Sequence, residues 1–306
     1  MSNNKDINMQ KKQKIEKIES PWIIAWRRLK KNKLAMTGLF IIIILLLIAI
    51  IGPMIYPQSW EATNLTNTLK PPSAKHVLGT DQVGRDVLAR LMYGGRISLS
   101  VGVVAVSIQV LIGASLGIVA GYYGGKIDAI IMRFVDILMC FPFLPLLIML
   151  GAIMSDLRVE PQYRIYVVMI VIGIVGWPGL CRLVRGQILS LREQEFMQAA
   201  ESLGLKDTRK MFIHLLPNTL ASIIVSATLG VGGAIMTESA LSFLGLGVTP
   251  PTPTWGNMIQ AAQDQYALQF QPWLWVPPGV CIFLTVMAIN LFGDGLRDAL
   301  DPKLKV

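Results

Sequence analysis

Six apolar runs dominate the sequence and limit what the chain can fold into. They lie at residues 34–55, 97–120, 134–155, 165–184, 218–243 and 273–293. An α-helix of about 20 apolar residues crosses the roughly 30 Å hydrocarbon layer of a bilayer. Only 15% of the residues are charged, against about 25% in a typical soluble protein. The sequence therefore predicts an all-α integral membrane protein with six transmembrane helices, and it excludes a soluble globular fold.

Basic residues are concentrated at the start of the chain. Ten of the 28 Lys and Arg residues lie within the first 33 positions, directly before the first apolar run. Such a flank marks the cytoplasmic side of a membrane helix, and an even number of spans returns the C-terminus to that side. We therefore expect both termini in the cytoplasm, and we attribute the net charge of +9 to contact with the membrane surface and not with nucleic acid.

Tryptophans precede a group of basic residues just before the first span. Trp22 and Trp26 adjoin Arg27 and Lys30. Tryptophan settles at the headgroup level of a bilayer, and basic side chains face anionic lipid. The pattern predicts an interfacial helix, with a simple stop-transfer flank as the alternative.

The apolar runs divide the chain into five parts, one of which carries the longest cytoplasmic loop. They are a basic tail with the interfacial helix (1–33), the first transmembrane helix (34–56), an extracytoplasmic loop (57–95), a five-helix core (96–295) that includes the cytoplasmic loop 185–217, and a C-terminal cytoplasmic tail (296–306). Within the core, Gly113, Gly117 and Gly121 recur every four residues. This spacing predicts close packing against another helix.

The sequence offers no catalytic or metal-binding constellation. Gly125-Lys126 is the nearest approach to a phosphate-binding loop, but Ala120 and Ile127 stand where the loop needs glycine and a hydroxyl. The three cysteines, Cys140, Cys181 and Cys281, show no CxxC spacing. We expect no catalytic residue, no metal site and no cofactor bound by this chain.

One cytoplasmic segment has the pattern of a docking helix. Its apolar residues recur at helical spacing and form one small face, made of Phe196, Ala199, Ala200 and Leu203. Gly204 ends the helix, and Asp207 is expected to cap a second one. Such a face suits the groove of a cytoplasmic partner. Packing against the chain's own spans is the alternative.

The same segment resembles a known family motif. Residues 195–204, EFMQAAESLG, followed by HLLPN at 214–218, are similar to the EAA loop of ABC importer permeases. In that family the loop is the coupling helix that contacts the ATPase subunits. The resemblance assigns coupling roles to Glu195, Phe196, Gln198, Ala199, Ala200, Glu201, Gly204, Leu216 and Pro217. Gln198 departs from the family pattern, which has glutamate there.

Further stretches resemble the C-type subunit of the oligopeptide, dipeptide and nickel permease group, similar to OppC or DppC. They lie at residues 26–38, 78–98, 241–256 and 293–302. The resemblance implies a type I ABC importer permease fold in a bacterial inner membrane. It also implies a heterodimer with a B-type permease, two ATPase subunits that use ATP and Mg, and an extracytoplasmic binding protein.

Two groups of charged residues are candidates for function outside the coupling loop. In the extracytoplasmic motif, Asp81, Arg85, Asp86 and Arg96 lie near Gly84, and they can serve ion pairing within the loop or contact with the binding protein. Glu238 lies deep in an apolar run. Intramembrane carboxylates usually face a cavity or a partner, so Glu238 is either part of the translocation path or a hydrogen-bond acceptor for the loop 244–256.

The resemblance favours peptide as the substrate. Nickel or another small solute is the alternative within the family, because the motifs are shared. An ion-coupled secondary transporter is the alternative from a different class, but it would need paired intramembrane charges or inverted repeats.

Overall fold

The structure is a computed structural model that describes residues 21–301. Within this range it contains twelve α-helices of four or more residues, which we number in chain order. They are α1 (Pro21–Lys31), α2 (Lys33–Ile55), α3 (Val87–Tyr123), α4 (Gly125–Cys140), α5 (Phe143–Asp156), α6 (Pro161–Gly176), α7 (Pro178–Arg192), α8 (Glu195–Ser202), α9 (Leu216–Phe243), α10 (Trp255–Met258), α11 (Gln265–Phe270) and α12 (Pro272–Leu300). One helical turn, Asp207–Arg209, and a π-helical segment, Lys210–Leu215, lead into α9. Most of the predicted basic tail lies outside the described residues, as do the last residues of the C-terminal tail.

The six predicted spans are present, and five of them are continuous. Those five are Lys33–Ile55, Val87–Tyr123, Tyr163–Arg192, Asp207–Phe243 and Pro272–Leu300. The sixth consists of α4 and α5, which meet at a bend of 78°. The apolar run 134–155 therefore forms two helices within one span. Pro142 lacks a backbone N–H and disfavours helical backbone at Phe141, so the chain changes direction there.

Two predicted boundaries also differ from the structure. Helix α3 begins at Val87, inside the predicted extracytoplasmic loop 57–95, and α7 continues to Arg192, inside the predicted cytoplasmic loop 185–217. Both helices extend beyond their apolar runs because polar residues at a helix end remain compatible with helical backbone. We call the end of the bundle that carries α8 the inner end and the end that carries residues 57–86 the outer end, following the predicted orientation.

Helix α3 lies at the centre of the bundle and packs on α7 through its glycines. A Cβ atom on Gly113 would lie 2.9 Å from the Trp177 carbonyl oxygen, and one on Gly117 would lie 2.7 Å from the Cys181 carbonyl oxygen. At Gly121 it would lie 2.7 Å from the Cβ of Ile188. The predicted close packing is confirmed, and its partner is α7.

The interfacial helix α1 packs on the inner end of α12. Ala25 and Leu29 are buried in a cluster with Ala299, whereas Trp22 and Trp26 are exposed. The Lys30 ammonium lies 5.1 Å from the ring centroid of Trp26. This arrangement leaves an aromatic and basic face available to headgroups, and the membrane contact of that face stays a prediction.

The outer segment is organised around two carboxylates. Asp86 caps α3 by accepting from the Ala89 N–H at 2.9 Å, and it also accepts from the Tyr56 hydroxyl at 3.1 Å. Partial burial, together with the charge of Asp86, raises the pKa of Tyr56 above its ordinary 10.0, so this hydroxyl remains a donor. Asp81 binds the Arg85 Nε at 2.7 Å, which confirms ion pairing within the loop.

Arg96 has a different role from the ion pair that its sequence position suggested. Its guanidinium donates to the Ala49 carbonyl at 2.7 Å and to the Ile50 carbonyl at 2.5 Å. The Ala49 carbonyl has no helical donor, because the residue four positions further on is Pro53, which lacks an N–H. Arg96 therefore ties α3 to α2.

Gly84 provides a test of the outer segment. Its φ is +74°, and a Cβ atom there would lie 1.9 Å from the Asn64 carbonyl oxygen. We predict that Gly84→Ala displaces the segment 57–86 and raises its protease sensitivity, because both the backbone angle and the contact are unfavourable. Limited proteolysis of right-side-out membrane vesicles, in which the added protease reaches the outer end of the subunit, measures this effect.

Gly245→Ala is the matched control. Gly245 has φ +77°, but its nearest neighbour is the end of the flexible Gln260 side chain at 3.4 Å. This variant carries the backbone strain without the backbone clash and should leave proteolysis of 57–86 unchanged. Equal resistance of wild type and Gly84→Ala would contradict the prediction.

Candidate functional site

Helix α8 is a short, well-terminated helix at the inner end. It follows α7 after only two residues and ends in Gly204, whose φ is +67°. The Leu205 N–H donates to the Ala200 carbonyl at 3.2 Å, and the Gly204 N–H donates to the Glu201 carbonyl at 2.9 Å. This is the Schellman arrangement, which satisfies the last carbonyls of a helix. The prediction that Gly204 ends the helix is confirmed.

The two sides of α8 have different neighbours. Met197 is buried in a cluster with Ile188 and Leu215, and Ala200 is buried beside it. Phe196 and Leu203 are 41% and 78% exposed, and Ala199 is also exposed. Helix α8 therefore packs on the chain through Met197 and Ala200 and presents an outward face made of Phe196, Ala199 and Leu203.

The predicted assignment of Ala200 to the docking face is wrong. Ala200 lies about 100° around the helix from Ala199, on the side that the chain itself covers. Because Ala199 and Ala200 are adjacent in sequence, the apolar pattern does not decide which of them lies on the docking face. The position of α7 decides it. The alternative of internal packing holds for Ala200, whereas Phe196, Ala199 and Leu203 remain free for a partner.

The outward face has an acidic rim. Glu195, Gln198 and Glu201 are exposed. Among the described residues, neither Glu195 nor Glu201 has an ion-pair partner. An apolar face with unpaired carboxylates at its edges is suited to a groove with a basic margin.

The segment after α8 is fastened to the inner end of α3. The Tyr122 hydroxyl donates to an Asp207 carboxylate oxygen at 2.6 Å, and the Lys210 ammonium lies 3.0 Å from the same oxygen. The Arg192 guanidinium donates to the Tyr122 carbonyl at 3.0 Å. The expectation that Asp207 caps a helix is wrong, because its carboxylate is bound by Tyr122 and Lys210. These contacts fix α8 relative to the central helix.

Leu216 and Pro217, the other predicted coupling residues, lie in the first turn of α9. Proline is tolerated there because the first helical N–H groups have no partner within the helix. Within this turn, the Asn218 amide donates to the carbonyl of His214, which precedes the helix, at 2.7 Å. Pro217 is exposed, and the half-buried Leu216 packs on the cluster that contains Met197. Neither residue forms part of the outward face of α8.

Glu238 is enclosed within the subunit. Its exposed fraction is 0%, and the Ser242 hydroxyl donates to one carboxyl oxygen at 2.7 Å. The Ser242 oxygen in turn accepts from the Val248 N–H at 3.1 Å. The carboxyl thus anchors the loop 244–254 to α9, which matches the hydrogen-bonding alternative. Glu238 does not line the cavity that its neighbour Thr237 borders, so a place in the translocation path gains no support.

The loop beyond Glu238 is held by further hydrogen bonds that sequence reasoning missed. Thr254 and Asn257 form a reciprocal capping box at the start of α10. The Trp255 N–H donates to the Ser98 hydroxyl at 3.1 Å, and its indole donates to the Leu91 carbonyl at 3.0 Å. The sequence signal was present, since a threonine followed three residues later by a side-chain acceptor is a capping pattern.

Comparison with known proteins gives two matching family models. The model described as "Binding-protein-dependent transport system inner membrane component" matches residues 113–306, and "N-terminal TM domain of oligopeptide transport permease C" matches residues 20–72.

Curated relatives match nearly the whole chain. The dipeptide transport system permease protein DppC of Alkalihalophilus pseudofirmus is 47% identical over 94% of this chain and 91% of the relative. The oligopeptide transport system permease protein OppC of Bacillus subtilis is 43% identical over the same shares. The glutathione transport system permease protein GsiD of Pectobacterium atrosepticum is 41% identical over 94% of this chain and 93% of the relative.

A pair of substitutions tests the structural role of Glu238. Glu238→Gln keeps an acceptor for Ser242, so we predict normal thermal stability and normal transport. Glu238→Ala removes the acceptor and leaves a buried hydroxyl unsatisfied, which costs about 1–3 kcal/mol. Thermal unfolding of the purified complex in lipid nanodiscs measures this loss. Normal assembly with abolished transport in Glu238→Gln would instead place the carboxyl in the translocation path.

Proposed function

Because the chain belongs to the family of binding-protein-dependent transport system inner membrane components, we propose that it is the C-type permease subunit of an ATP-driven importer of oligopeptides or dipeptides. In this role it forms half of the translocation pathway. The names of its relatives favour peptide over nickel or another small solute, since dipeptide, oligopeptide and glutathione permeases all match over more than nine-tenths of the chain.

The outward face of α8 is the observation that carries the coupling part of the proposal. It offers Phe196, Ala199 and Leu203 to a partner on a helix whose other side is anchored. Motion of a docked partner would reach the spans through α7, which precedes α8 by two residues, and through the Tyr122–Asp207 contact. The chain has no phosphate-binding loop, so ATP and Mg belong to partner ATPase subunits.

The remaining partners follow from the same role. A B-type permease would complete the pathway as a heterodimer, two ATPase subunits would bind at the inner end, and an extracytoplasmic binding protein would deliver the solute at the outer end. The inner end is then cytoplasmic, with both termini on that side. The basic flank at α1 supports this orientation.

An ion-coupled secondary transporter is the weaker candidate. Such proteins place ionisable side chains in a cavity near the middle of the membrane. Glu238 is enclosed and bound by Ser242, an environment that favours a structural role over an exchangeable ion site.

Adjacent alanines on α8 test the coupling proposal. We predict that Ala199→Asp leaves the subunit folded but uncouples it, because a charge would enter an apolar contact without a partner. ATP hydrolysis by the complete complex should then no longer increase with peptide-loaded binding protein, and peptide uptake should be lost.

Ala200→Asp is the matched comparison. Here the charge would lie against the chain's own core, so the subunit itself should lose stability and assemble poorly. Normal coupling in Ala199→Asp, with an intact complex, would contradict the proposal and leave α8 as internal packing only.

A further inference from the structure

A cavity of about 550 Å³ opens where the third span bends. It lies between the end of α4, the start of α5, the junction of α6 with α7, and the middle of α9. Its wall includes Gln109, Phe141, Pro142, Gly179, Gly233 and Thr237, and none of the lining residues carries a charge. The Gln109 amide, which donates to the Ile172 carbonyl at 3.2 Å, supplies one of the few polar groups.

An ion pair lies one helical turn further toward the inner end. Arg182 on α7 binds Asp136 on α4 at 2.5 Å, and the two side chains are 46% and 52% exposed. Both residues belong to helices that are long and apolar enough, alone or as a bent pair, to cross a membrane. Exposure of charged side chains to lipid is costly, and intramembrane charges usually face the bundle interior or water. This face of the subunit therefore borders an aqueous space or another protein.

A second ion pair continues the polar face toward the inner end. Arg185 binds both carboxylate oxygens of Asp128, at 2.5 and 2.6 Å. This pair is less exposed than the first and fastens α4 to α7. Helices α4 and α7 are thus amphipathic, whereas α5 and α6, which continue the same spans, carry their charged residues, Asp156 and Arg164, only near the ends away from the bend.

Glycines on this face are not explained by packing within the subunit. A Cβ atom on Gly179, Gly186 or Gly233 would meet no atom within 4 Å, in contrast to Gly113 and Gly117. Glycine is unfavourable in a helix relative to alanine. Its use here fits a surface that something outside this chain approaches closely.

We infer that the bend cavity and the Asp136–Arg182 pair below it form this subunit's wall of the solute path, and that a peptide passes along both. The inference rests on the proposed function. Peptide is the favoured occupant because an uncharged lining places no charge requirement on its side chains, while the ion pair offers both signs to its charged ends. A lipid tail or a tightly packed partner helix would leave the half-exposed pair without water.

Accessibility of introduced cysteines tests the inference in the complete complex. Cys140 and Cys281 are replaced by serine, and Cys181 is retained because it is buried. Single cysteines are placed at Gly179, Gly186 and Gly233, where the structure has room for them. A charged, membrane-impermeant methanethiosulfonate reagent should modify all three cysteines. Addition of ATP together with a saturating concentration of peptide-loaded binding protein should change the rates of modification.

Lipid-facing positions provide the control. Cysteines at Phe40 and Ile43 on α2, both exposed large hydrophobic residues, should not react. Absence of reaction at Gly179 and Gly233 in a complex that transports peptide would overturn the inference.

A change of side-chain volume separates a solute path from a subunit interface. Gly233→Leu should leave assembly and uptake of diglycine intact while uptake of peptides with aromatic side chains is lost. Loss of the B-type permease from the purified complex would show that this face is an interface, and would overturn the inference.

Absence of peptide uptake by the unsubstituted complex would overturn the proposed function instead, and cysteine reactivity would still decide whether this face is hydrated.

Discussion

The close packing of α3 on α7 is the contact on which the rest of the structure depends. Three glycines one turn apart bring the two backbones together. A Cβ atom added at Gly117 would lie only 2.7 Å from the Cys181 carbonyl oxygen. Between helices in a membrane, such van der Waals contact replaces the hydrophobic effect as the source of stability. Helix α7 leads directly into α8, and the inner end of α3 carries Tyr122, which binds the segment after α8. The same contact therefore stabilises the bundle and positions the coupling helix.

The bundle joins two kinds of surface. At the outer end, Asp81, Asp86 and Arg96 are used for capping, ion pairing and helix ties within the chain. At the inner end, the exposed carboxylates of α8 have no such partners among residues 21–301. The charged residues at the outer end thus stabilise the chain's own spans, whereas those of α8 remain available for the proposed partner.

Local patterns in the sequence predicted local structure well. The apolar runs gave six spans, the glycine spacing gave close packing, and Gly204 ended α8, because each depends on a few neighbouring residues. The family matches confirm the resemblance to C-type permeases. Three features depend instead on residues from distant parts of the chain. They are the burial of Ala200 on the inner side of α8, the hydrogen bond from Tyr122 to Asp207, and the hydrogen bonds from Arg96 to the carbonyls of α2. The bend at Pro142 was visible in sequence, but proline is common enough in membrane helices that its effect there was not decided.

The central claim is that the outward face of α8 contacts the ATPase subunits, and site-directed crosslinking tests it most directly. In the complete complex, a single cysteine at Gln198 or Leu203, both exposed, should form disulfides with cysteines on the ATPase surface. A cysteine at the buried Met197 should not. Crosslinks from Gln198 and Leu203 only to the chain's own spans would contradict the account.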